Sequence, residues 1–157
     1  MLCFDAHPAE LERLRQHPEL LESTVEEVLR YMAVFRAGPN GLILGRVAKT
    51  DIQLYDQVVR KGDYVQVSRF SANFDERQFP DAERFDIARS PNRHQSFGHG
   101  VHFCLGAPLA RLESKIALGA LLKKFQQIQV VHDQRLQQVP SILVFGLQHL
   151  PITFQSA

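Results

Sequence analysis

Cys104 is the residue of this sequence whose neighbours offer the most chemistry. It lies in the stretch 97–106, FGHGVHFCLG, which also holds three glycines and two histidines and precedes a strongly helical run. A cysteine just before a helix N-terminus faces unpaired backbone N–H groups and the positive end of the helix dipole, and these favour the thiolate. Gly98, Gly100 and Gly106 remove Cβ atoms where the backbone must turn sharply or approach a sulfur or a flat ligand. Such a thiolate can serve as a metal ligand or a nucleophile.

Four interpretations of this loop remain open on the residues alone. In the first, Cys104 is the axial ligand of a haem iron, while His102 and a distant arginine hold the propionates and Phe97 lets the porphyrin come close. In the second, His99, His102 and Cys104 bind zinc, with water or His94 in the fourth position. In the third, Cys104 is a catalytic nucleophile and His102 is its base. In the fourth, Cys104 is simply buried like a small hydrophobic residue.

Length and composition narrow the class of protein. The 157 residues have the length of one domain, and 45% hydrophobic with 22% charged residues is close to the globular average. The net charge of +1 gives no reason to expect nucleic acid or an anionic membrane as a partner. No apolar run approaches the roughly 20 residues that span a bilayer, and no signal peptide is recognisable. We therefore expect a soluble, cytoplasmic protein whose cysteines, Cys3 and Cys104, are free thiols.

Two helices are predicted in the first part of the chain. Residues 8–17 begin with a proline, carry acids early and bases late, and end before a second proline, which is typical of a short helix. Ser23 and Glu26 have the spacing of a capping box, and an apolar stripe at i, i+3, i+4 and i+7 follows from Val25 to Met32. On that helix Glu27 and Arg30 face away from the stripe, as a solvated ion pair would.

The middle of the chain is predicted to hold a small antiparallel sheet and an irregular meander. Turn residues punctuate four short strands, at 42–48, 52–55, 58–59 and 64–67. Residues 70–91 mix aromatics, charges and prolines without a sustained period, so we expect an ordered but irregular segment pinned by Phe70, Phe74, Phe79 and Phe85.

The longest helical pattern runs from residue 107 to 125, and two apolar stripes on it predict burial around much of its circumference. Short strands near 128–131, 142–145 and 152–154 complete the pattern. The predicted fold class is mainly α with small antiparallel β-sheets, α+β. The two stripes of the long helix are Leu105, Leu109, Leu112 and Ile116, and then Leu118, Leu121, Leu122 and Phe125.

The stretch FGHGVHFCLG, followed by APLARLE, resembles the signature of the cytochrome P-450 family of haem-thiolate monooxygenases, in the soluble bacterial style. Phe97, Gly100, Cys104 and Gly106 fill the family's Phe-x-x-Gly-x-x-x-Cys-x-Gly frame. The resemblance implies haem b (iron protoporphyrin IX) with Cys104 as the catalytic axial ligand. The cofactor-binding residues that it implies are Cys104, His102, Arg46, Phe97, Gly98, Gly106 and Ala110.

Further positions fit the family in the same order along the chain. Glu27-Val-Leu-Arg30 resembles its Glu-x-x-Arg, which implies a buried ion pair instead of a solvated one, with Arg84 as the meander's partner. Arg46 and His102 match its two propionate contacts. The stretch 71–75, SANFD, resembles the family's Ala-Asn-Arg-Asp with Phe74 in place of the arginine.

The resemblance runs from about residue 8 to 151 and implies the C-terminal part of the family's fold, as a single region over 1–157 without the N-terminal and oxygen-activating helices. It implies insertion of one oxygen atom from O2 into a small hydrophobic substrate, with electrons from a ferredoxin or flavodoxin-type donor. A plausible docking patch for that donor is Arg89, Arg93, Arg111 and Lys115. The alternatives are an inactive haem-binding or interaction remnant, and the zinc site. The segments implied to contact substrate are 32–38 and 142–147.

Overall fold

A computed structural model describes residues 1–34, 45–133, 135–141 and 144–156. It contains helices and three two-stranded antiparallel sheets, and none of the helices in the described ranges is long and apolar enough to cross a membrane. The helices are α1 (Leu2–Ala6), α2 (Pro8–Gln16), α3 (Leu21–Tyr31), α4 (Arg69–Ala72) and α5 (Ala107–Lys124). The strands are β1 (Gly45–Val47), β2 (Ile52–Leu54), β3 (Gln57–Val59), β4 (Tyr64–Gln66), β5 (Phe125–Val130) and β6 (Ile152–Ser156).

Helix α3 starts earlier than the capping-box prediction places it. A 3-10 turn, Pro18–Leu20, runs directly into the helix because Leu20 already has α-helical dihedral angles. Ser23 therefore lies inside the first turn, where its hydroxyl donates back to the Leu20 carbonyl at 3.0 Å, and Thr24 does the same at 2.7 Å. The prediction of a capping box at Ser23 is wrong, because a preceding proline turn begins the helix instead.

The hydrophobic core joins the N-terminal helices to the meander. Phe4 of α1 meets Phe85 edge-on, with ring centroids 5.9 Å apart, and Leu14 of α2 is buried beside them. Helix α1 was not predicted, since five residues are too few to show a helical period. Half-buried side chains of α3 and α5 pack against this core, which therefore fixes the two helices that flank the cysteine loop. The buried members are Cys3, Phe4, Leu14, Phe85 and Ile87.

The predicted strands form as three separate pairs. Strand β1 pairs with β4, with Arg46 opposite Val65, and β2 pairs with β3 as a hairpin. The prediction that strand one begins at 42 falls partly outside the described residues. Strand β5 pairs with β6, and the register shifts between Gln126 and Gln129, where Gln127 has a φ of 45°. In the described part of the predicted strand 142–145, Val144 takes part in a bridge, and Gln138 pairs with Leu147 in an isolated antiparallel bridge nearby.

The meander is ordered and largely irregular, as predicted. After the single turn of α4, residues 73–99 contain turns and bends but no further helix or strand. Phe79 and Phe85 are buried, while Phe70 and Phe74 are half-buried with their ring centroids 5.0 Å apart. Asn73 is fully buried although it is polar, so its hydrogen bonds must be made inside the protein.

Helix α5 is less buried than predicted, and its two stripes have different surroundings. The second stripe, Leu118, Leu121, Leu122 and Phe125, is half-buried: Leu118 and Leu122 pack against the core, and the Phe125 ring meets that of Phe154 on β6. The first stripe faces solvent: Leu105 is 98%, Leu109 58%, Leu112 54% and Ile116 62% exposed. The prediction of burial around the helix is therefore wrong for this stripe, because no described residue covers it.

Candidate functional site

The cysteine loop is shaped by two glycines and one closing hydrogen bond. Gly98 has a φ of 75° and Gly100 a φ of 71°, the left-handed region in which a Cβ is strained. Between these turns and α5 the chain makes a short 3-10 turn, Gly100–His102. The Cys104 N–H then donates to the Phe97 carbonyl at 3.0 Å, so the loop closes on itself. Cys104 is held in place by the backbone of Phe97.

Cys104 lies directly before the first turn of α5. The Ala107 N–H donates to the Cys104 carbonyl at 3.2 Å, and the Ala110 N–H donates to the Gly106 carbonyl at 2.9 Å as the first helical bond. A Cβ on Gly106 would stand 3.9 Å from the Cys104 Sγ, so that position borders the sulfur. The structure therefore brings together four of the predicted cofactor residues, Phe97, Cys104, Gly106 and Ala110, at a helix N-terminus.

The two residues predicted to contact the haem propionates are His102 and Arg46, and in the described chain neither is bonded to Cys104. His102 is exposed at the end of the 3-10 turn, and its carbonyl lies 3.9 Å from where a Cβ of Gly98 would be. Arg46 is exposed on β1 and its Nη1 donates to the carbonyl of the neighbouring Gly45 at 3.0 Å. Both side chains are therefore accessible to an anionic group.

The predicted zinc site is not assembled. Nowhere in the described ranges do three His, Cys, Asp or Glu side chains come close enough to hold a metal ion. His99 and His102 are both exposed, whereas His94 is nearly buried and is bonded to a carboxylate. The zinc interpretation of His99, His102 and Cys104 is therefore corrected: three ligands within six residues are not brought to one point by this loop.

The segment that leads into the loop is anchored by buried Asn73. Its Oδ1 accepts the Gln95 N–H at 2.7 Å, and its Nδ2 donates to the Ser96 Oγ at 2.8 Å and to the Arg30 carbonyl at 3.0 Å. The Ser96 hydroxyl in turn donates to the Leu29 carbonyl of α3 at 2.6 Å. Asn73 therefore connects the meander, α3 and the loop. The sequence showed Asn73 only as part of a motif, without this role.

Glu26 of α3 is the charged partner of the loop region. Arg111 of α5 binds it through two bonds, Nε to Oε1 at 2.6 Å and Nη2 to Oε2 at 2.8 Å, and His94 Nε2 lies 3.1 Å from Oε2. Burial would raise the pKa of Glu26, but the hydrogen bonds from His94 and Arg111 and the positive charge of Arg111 outweigh it and lower the pKa to about 2. The Arg111 guanidinium also lies over the Phe97 ring, 4.8 Å from its centroid.

Glu27, one residue further, is fully buried and faces the meander. Arg30 donates to it from Nε and Nη2, each at 2.8 Å, and Arg30 is itself fully buried. The Asp86 N–H, the Asn92 side-chain amide and the Arg89 Nε also donate to Glu27, at 3.0, 2.9 and 3.3 Å. The pair is thus a buried ion pair with further hydrogen bonds, as the resemblance implies and unlike the solvated pair read from the helix alone.

The third member of this ion-pair group differs from the expectation. Arg84 is exposed and contributes its backbone carbonyl, which accepts from Arg30 Nη2 at 3.2 Å. The guanidinium that reaches Glu27 belongs to Arg89, whose side chain is only 10% exposed. The turn between Asp81 and Arg84 directs the carbonyls of Ala82 and Arg84 at Arg30, so Arg84 acts through its backbone and Arg89 supplies the charge.

Most of the basic residues in the predicted docking patch for the electron donor form ion pairs in the structure. Arg89 is paired with Glu27, Arg111 with Glu26, and the Lys115 Nζ lies 3.4 Å from Glu22. Three of the four bases therefore pair with carboxylates of α3, two of them from α5 and Arg89 from the meander, while Arg93 is exposed.

The surface around Cys104 is strongly apolar, and its residues can be compared with those that a porphyrin requires. Val101 is 97% exposed and Phe103 about half exposed, and the exposed stripe of α5 continues from Leu105. A porphyrin needs an apolar surface, a soft axial ligand and cations for its carboxylates, and these are the groups present. The donor set, one thiol with accessible Arg46 and His102, therefore fits haem.

Comparison with known proteins agrees with this chemistry. The sequence model of the cytochrome P-450 family matches residues 10–155. A cytochrome P-450 of Bacillus subtilis is 42% identical over 149 residues, which cover 94% of this chain and 35% of that protein. The mycinamicin IV hydroxylase/epoxidase of Micromonospora griseorubida is 41% identical over 147 residues, 92% of this chain and 36% of the relative.

Solved structures give the same result. The crystal structure of CYP109E1 from Bacillus megaterium with testosterone superposes with a TM-score of 0.84 at 40% identity, covering 96% of this chain and 40% of that one. The chain thus spans about two-fifths of the length of these relatives. Because the family match extends over nearly the whole sequence and the fold and the cysteine loop agree with it, the chain belongs to the cytochrome P-450 family.

Proposed function

We propose that this chain is the haem-binding C-terminal region of a cytochrome P-450 monooxygenase and that Cys104 is the axial ligand of haem b. The observation that carries the proposal is the position of Cys104, at the start of α5, closed by Phe97 and bordered by exposed apolar side chains. Thiolate-ligated haem, when bound, supplies the activation of O2 for insertion of one oxygen atom into substrate.

The chain's own residues would hold the group and shield it. Cys104 supplies the thiolate, and Gly98, Phe97, Gly106 and Ala110 form the adjoining backbone and ring surface. Arg46 and His102 are accessible hydrogen-bond donors that would each bind a propionate, and Arg46 would do so with a full positive charge. The exposed stripe on α5 would be covered when the site is complete, which would keep water away from the sulfur.

The substrate is proposed to be a small, mainly hydrophobic organic molecule. The relatives' names point in this direction: one structure contains testosterone, and another relative acts on mycinamicin IV. The predicted substrate segments 32–38 and 142–147 lie partly outside the described residues. Electrons are proposed to come from a ferredoxin or flavodoxin-type protein.

Haem binding tests the proposal directly. We would titrate haem into the chain alone and into a fusion that supplies the N-terminal three-fifths of the Bacillus subtilis relative, then reduce each sample and add carbon monoxide. We expect the fusion to show the Soret band of thiolate-ligated haem, and the chain alone to take up haem weakly because the opposite wall of the site is not supplied.

Two variants complete the test. Cys104→Ser should abolish the thiolate band in the fusion, and His99→Ala, a change at an exposed histidine of the same loop, should preserve it. A thiolate band that survives Cys104→Ser would overturn the assignment. Tight, stoichiometric haem uptake by the chain alone would contradict the expectation that the site needs a second wall.

A further inference from the structure

The position of Cys104 depends on Phe97, and Phe97 has few other supports. The Phe97 carbonyl accepts the Cys104 N–H at 3.0 Å, so a shift of Phe97 moves the cysteine backbone with it. Most of the loop after Phe97 is exposed and gives little packing: Val101 and Leu105 project almost entirely into solvent. The contacts of the Phe97 side chain therefore contribute to the position of Cys104, together with the Ala107 N–H that donates to the Cys104 carbonyl at 3.2 Å.

Besides Phe103 of the loop itself, whose ring lies edge-on with its centroid 6.3 Å away, two side chains contact the Phe97 ring. The Arg111 guanidinium lies 4.8 Å from the ring centroid, and the His94 ring centroid lies 6.0 Å away at an interplanar angle of 51°. Arg111 comes from α5 and His94 from the segment before the loop. The Phe97 ring is therefore contacted from two different elements, and a group that links both would hold them against it.

Glu26 is that link. Its two carboxylate oxygens bind Arg111 at 2.6 and 2.8 Å, and Oε2 also lies 3.1 Å from His94 Nε2. The Ser96 N–H donates to His94 Nδ1 at 3.2 Å, so Nδ1 carries no proton and Nε2–H is the donor to Glu26. The hydrogen bonds leave one tautomer and one ring orientation for His94, whose side chain is only 2% exposed.

We infer that Glu26 is a positioning residue for the axial cysteine: by holding Arg111 and His94 together against Phe97, it sets the backbone position of Cys104 at the start of α5. The inference rests on the proposed role of Cys104. Glu26 does not touch the sulfur or any bound group. Its effect passes through Arg111, His94 and Phe97.

Glu22 on the same helix provides a matched control. It forms the parallel α3–α5 ion pair with Lys115 at 3.4 Å, but it is largely exposed and contacts no residue of the loop in the described chain. Glu22→Gln therefore removes a carboxylate charge from α3 and one interhelical ion pair. Glu26→Gln removes a charge of the same kind and also the support of Phe97.

The test measures the loop locally, without haem. Hydrogen exchange of the Cys104 amide and alkylation of Cys104 would be followed by peptide mass spectrometry, with the Ala110 amide as a reference inside α5 and buried Cys3 as a reference thiol. In Glu26→Gln we expect both Cys104 rates to rise at least about tenfold while the Ala110 rate changes little. In Glu22→Gln we expect no change in the exchange or alkylation rate of Cys104.

The inference would be overturned if Glu26→Gln and Glu22→Gln raised the exchange and alkylation rates of Cys104 equally. It would also be overturned if the exchange rate of the Ala110 amide rose as much as that of the Cys104 amide, because this would mean general destabilisation. If Glu26→Gln does not fold, Arg111→Lys decides: it keeps the charge but loses the flat group over Phe97, and it should raise the Cys104 rates alone. No effect of Arg111→Lys would contradict the inference.

A second arm separates this inference from the proposed function. In the haem-loaded fusion, Glu26→Gln should convert part of the thiolate Soret band into the band of haem that has lost its thiolate, and Glu22→Gln should not. If haem never binds through Cys104, the proposed function fails while the amide and alkylation results still decide the role of Glu26. If haem binds normally and the Cys104 rates do not respond, only the inference fails.

Discussion

Two neighbouring carboxylates of α3 have very different surroundings. Glu27 is fully buried and accepts hydrogen bonds from Arg30, Arg89, Asn92 and the Asp86 N–H, and the meander around it is packed on Phe79 and Phe85. Glu26 is partly exposed and supports a loop beyond which apolar side chains face solvent. Among the described residues, the carboxylate on the meander side is fully enclosed by hydrogen-bond partners, whereas the loop on the cysteine side leaves apolar side chains exposed.

The largest expected effect is on the meander side. Arg30→Met removes the charge that compensates buried Glu27 and the donor to the carbonyls of Asn73 and Ala82, so we expect a loss of about 3–5 kcal/mol in the free energy of unfolding. Urea denaturation would measure it. Arg77→Met is the control, because its pair with Asp75 is exposed and its loss should change the free energy of unfolding far less. A similar small loss in Arg30→Met would show that the meander does not depend on this pair.

The second comparison uses leucines from the two regions. Leu14 is 1% exposed in the core, so Leu14→Ala should cost about 2–5 kcal/mol of unfolding free energy. Leu105→Ala removes the same atoms from solvent-exposed surface and should change it by less than about 0.5 kcal/mol. Both are measured by the same urea titration. Comparable losses would mean that the cysteine side is already packed in the chain alone.

Glu26 gives a pH-dependent comparison of intermediate size. Its folded pKa of about 2 is below the ordinary 4.5, so the folded state binds fewer protons and the stabilisation by Glu26 is present above pH 4.5 and lost as the pH falls toward 2. At pH 7 we expect Glu26→Gln to be less stable by about 1–2 kcal/mol, after allowance for partial exposure. The gap between the two proteins should close through that window. A gap that stays constant down to pH 2 would contradict the assignment.

The smallest expected effect concerns Phe74, which stands where the family usually has an arginine. Its ring lies 5.2 Å from the Arg30 guanidinium and 5.5 Å from the Tyr31 ring. Phe74→Leu keeps most of the apolar volume but loses the ring face, so we expect a loss of about 0.5–1.5 kcal/mol in thermal or urea unfolding. No measurable loss would show that Phe74 merely fills space beside Arg30.

Local patterns predicted the elements well where a few neighbouring residues determine them. The apolar period places α5 within one residue of its observed end, and the Lys61-Gly62-Asp63 turn, where Gly62 has a φ of 94°, separates β3 from β4 as predicted. Ser23 misled because its capping role depends on what precedes it, and the proline at 18 had already begun a turn.

Contacts between distant residues could not be predicted from spacing. His94 and Arg111 reach Glu26 across 68 and 85 positions, and no periodic signal connects them. Arg84 and Arg89 are both plausible partners of Glu27 by type, and only the path of the turn decides which side chain arrives. The exposed stripe of α5 was predicted as core because an apolar period shows which side chains share a face, and not whether anything covers that face.

The adjacency of Glu26 and Glu27 has a consequence for the helix that carries them. Consecutive residues of an α-helix are rotated by about 100° around its axis. This rotation alone directs the Glu26 carboxylate toward the loop and the Glu27 carboxylate toward the meander. Leu21, at its start, is packed 3.2 Å from where a Cβ of Gly119 would lie on α5. Loss or gain of one residue between Leu21 and Glu26 would turn both carboxylates away from their partners at once. The number of residues in this turn is therefore constrained more tightly than their identity.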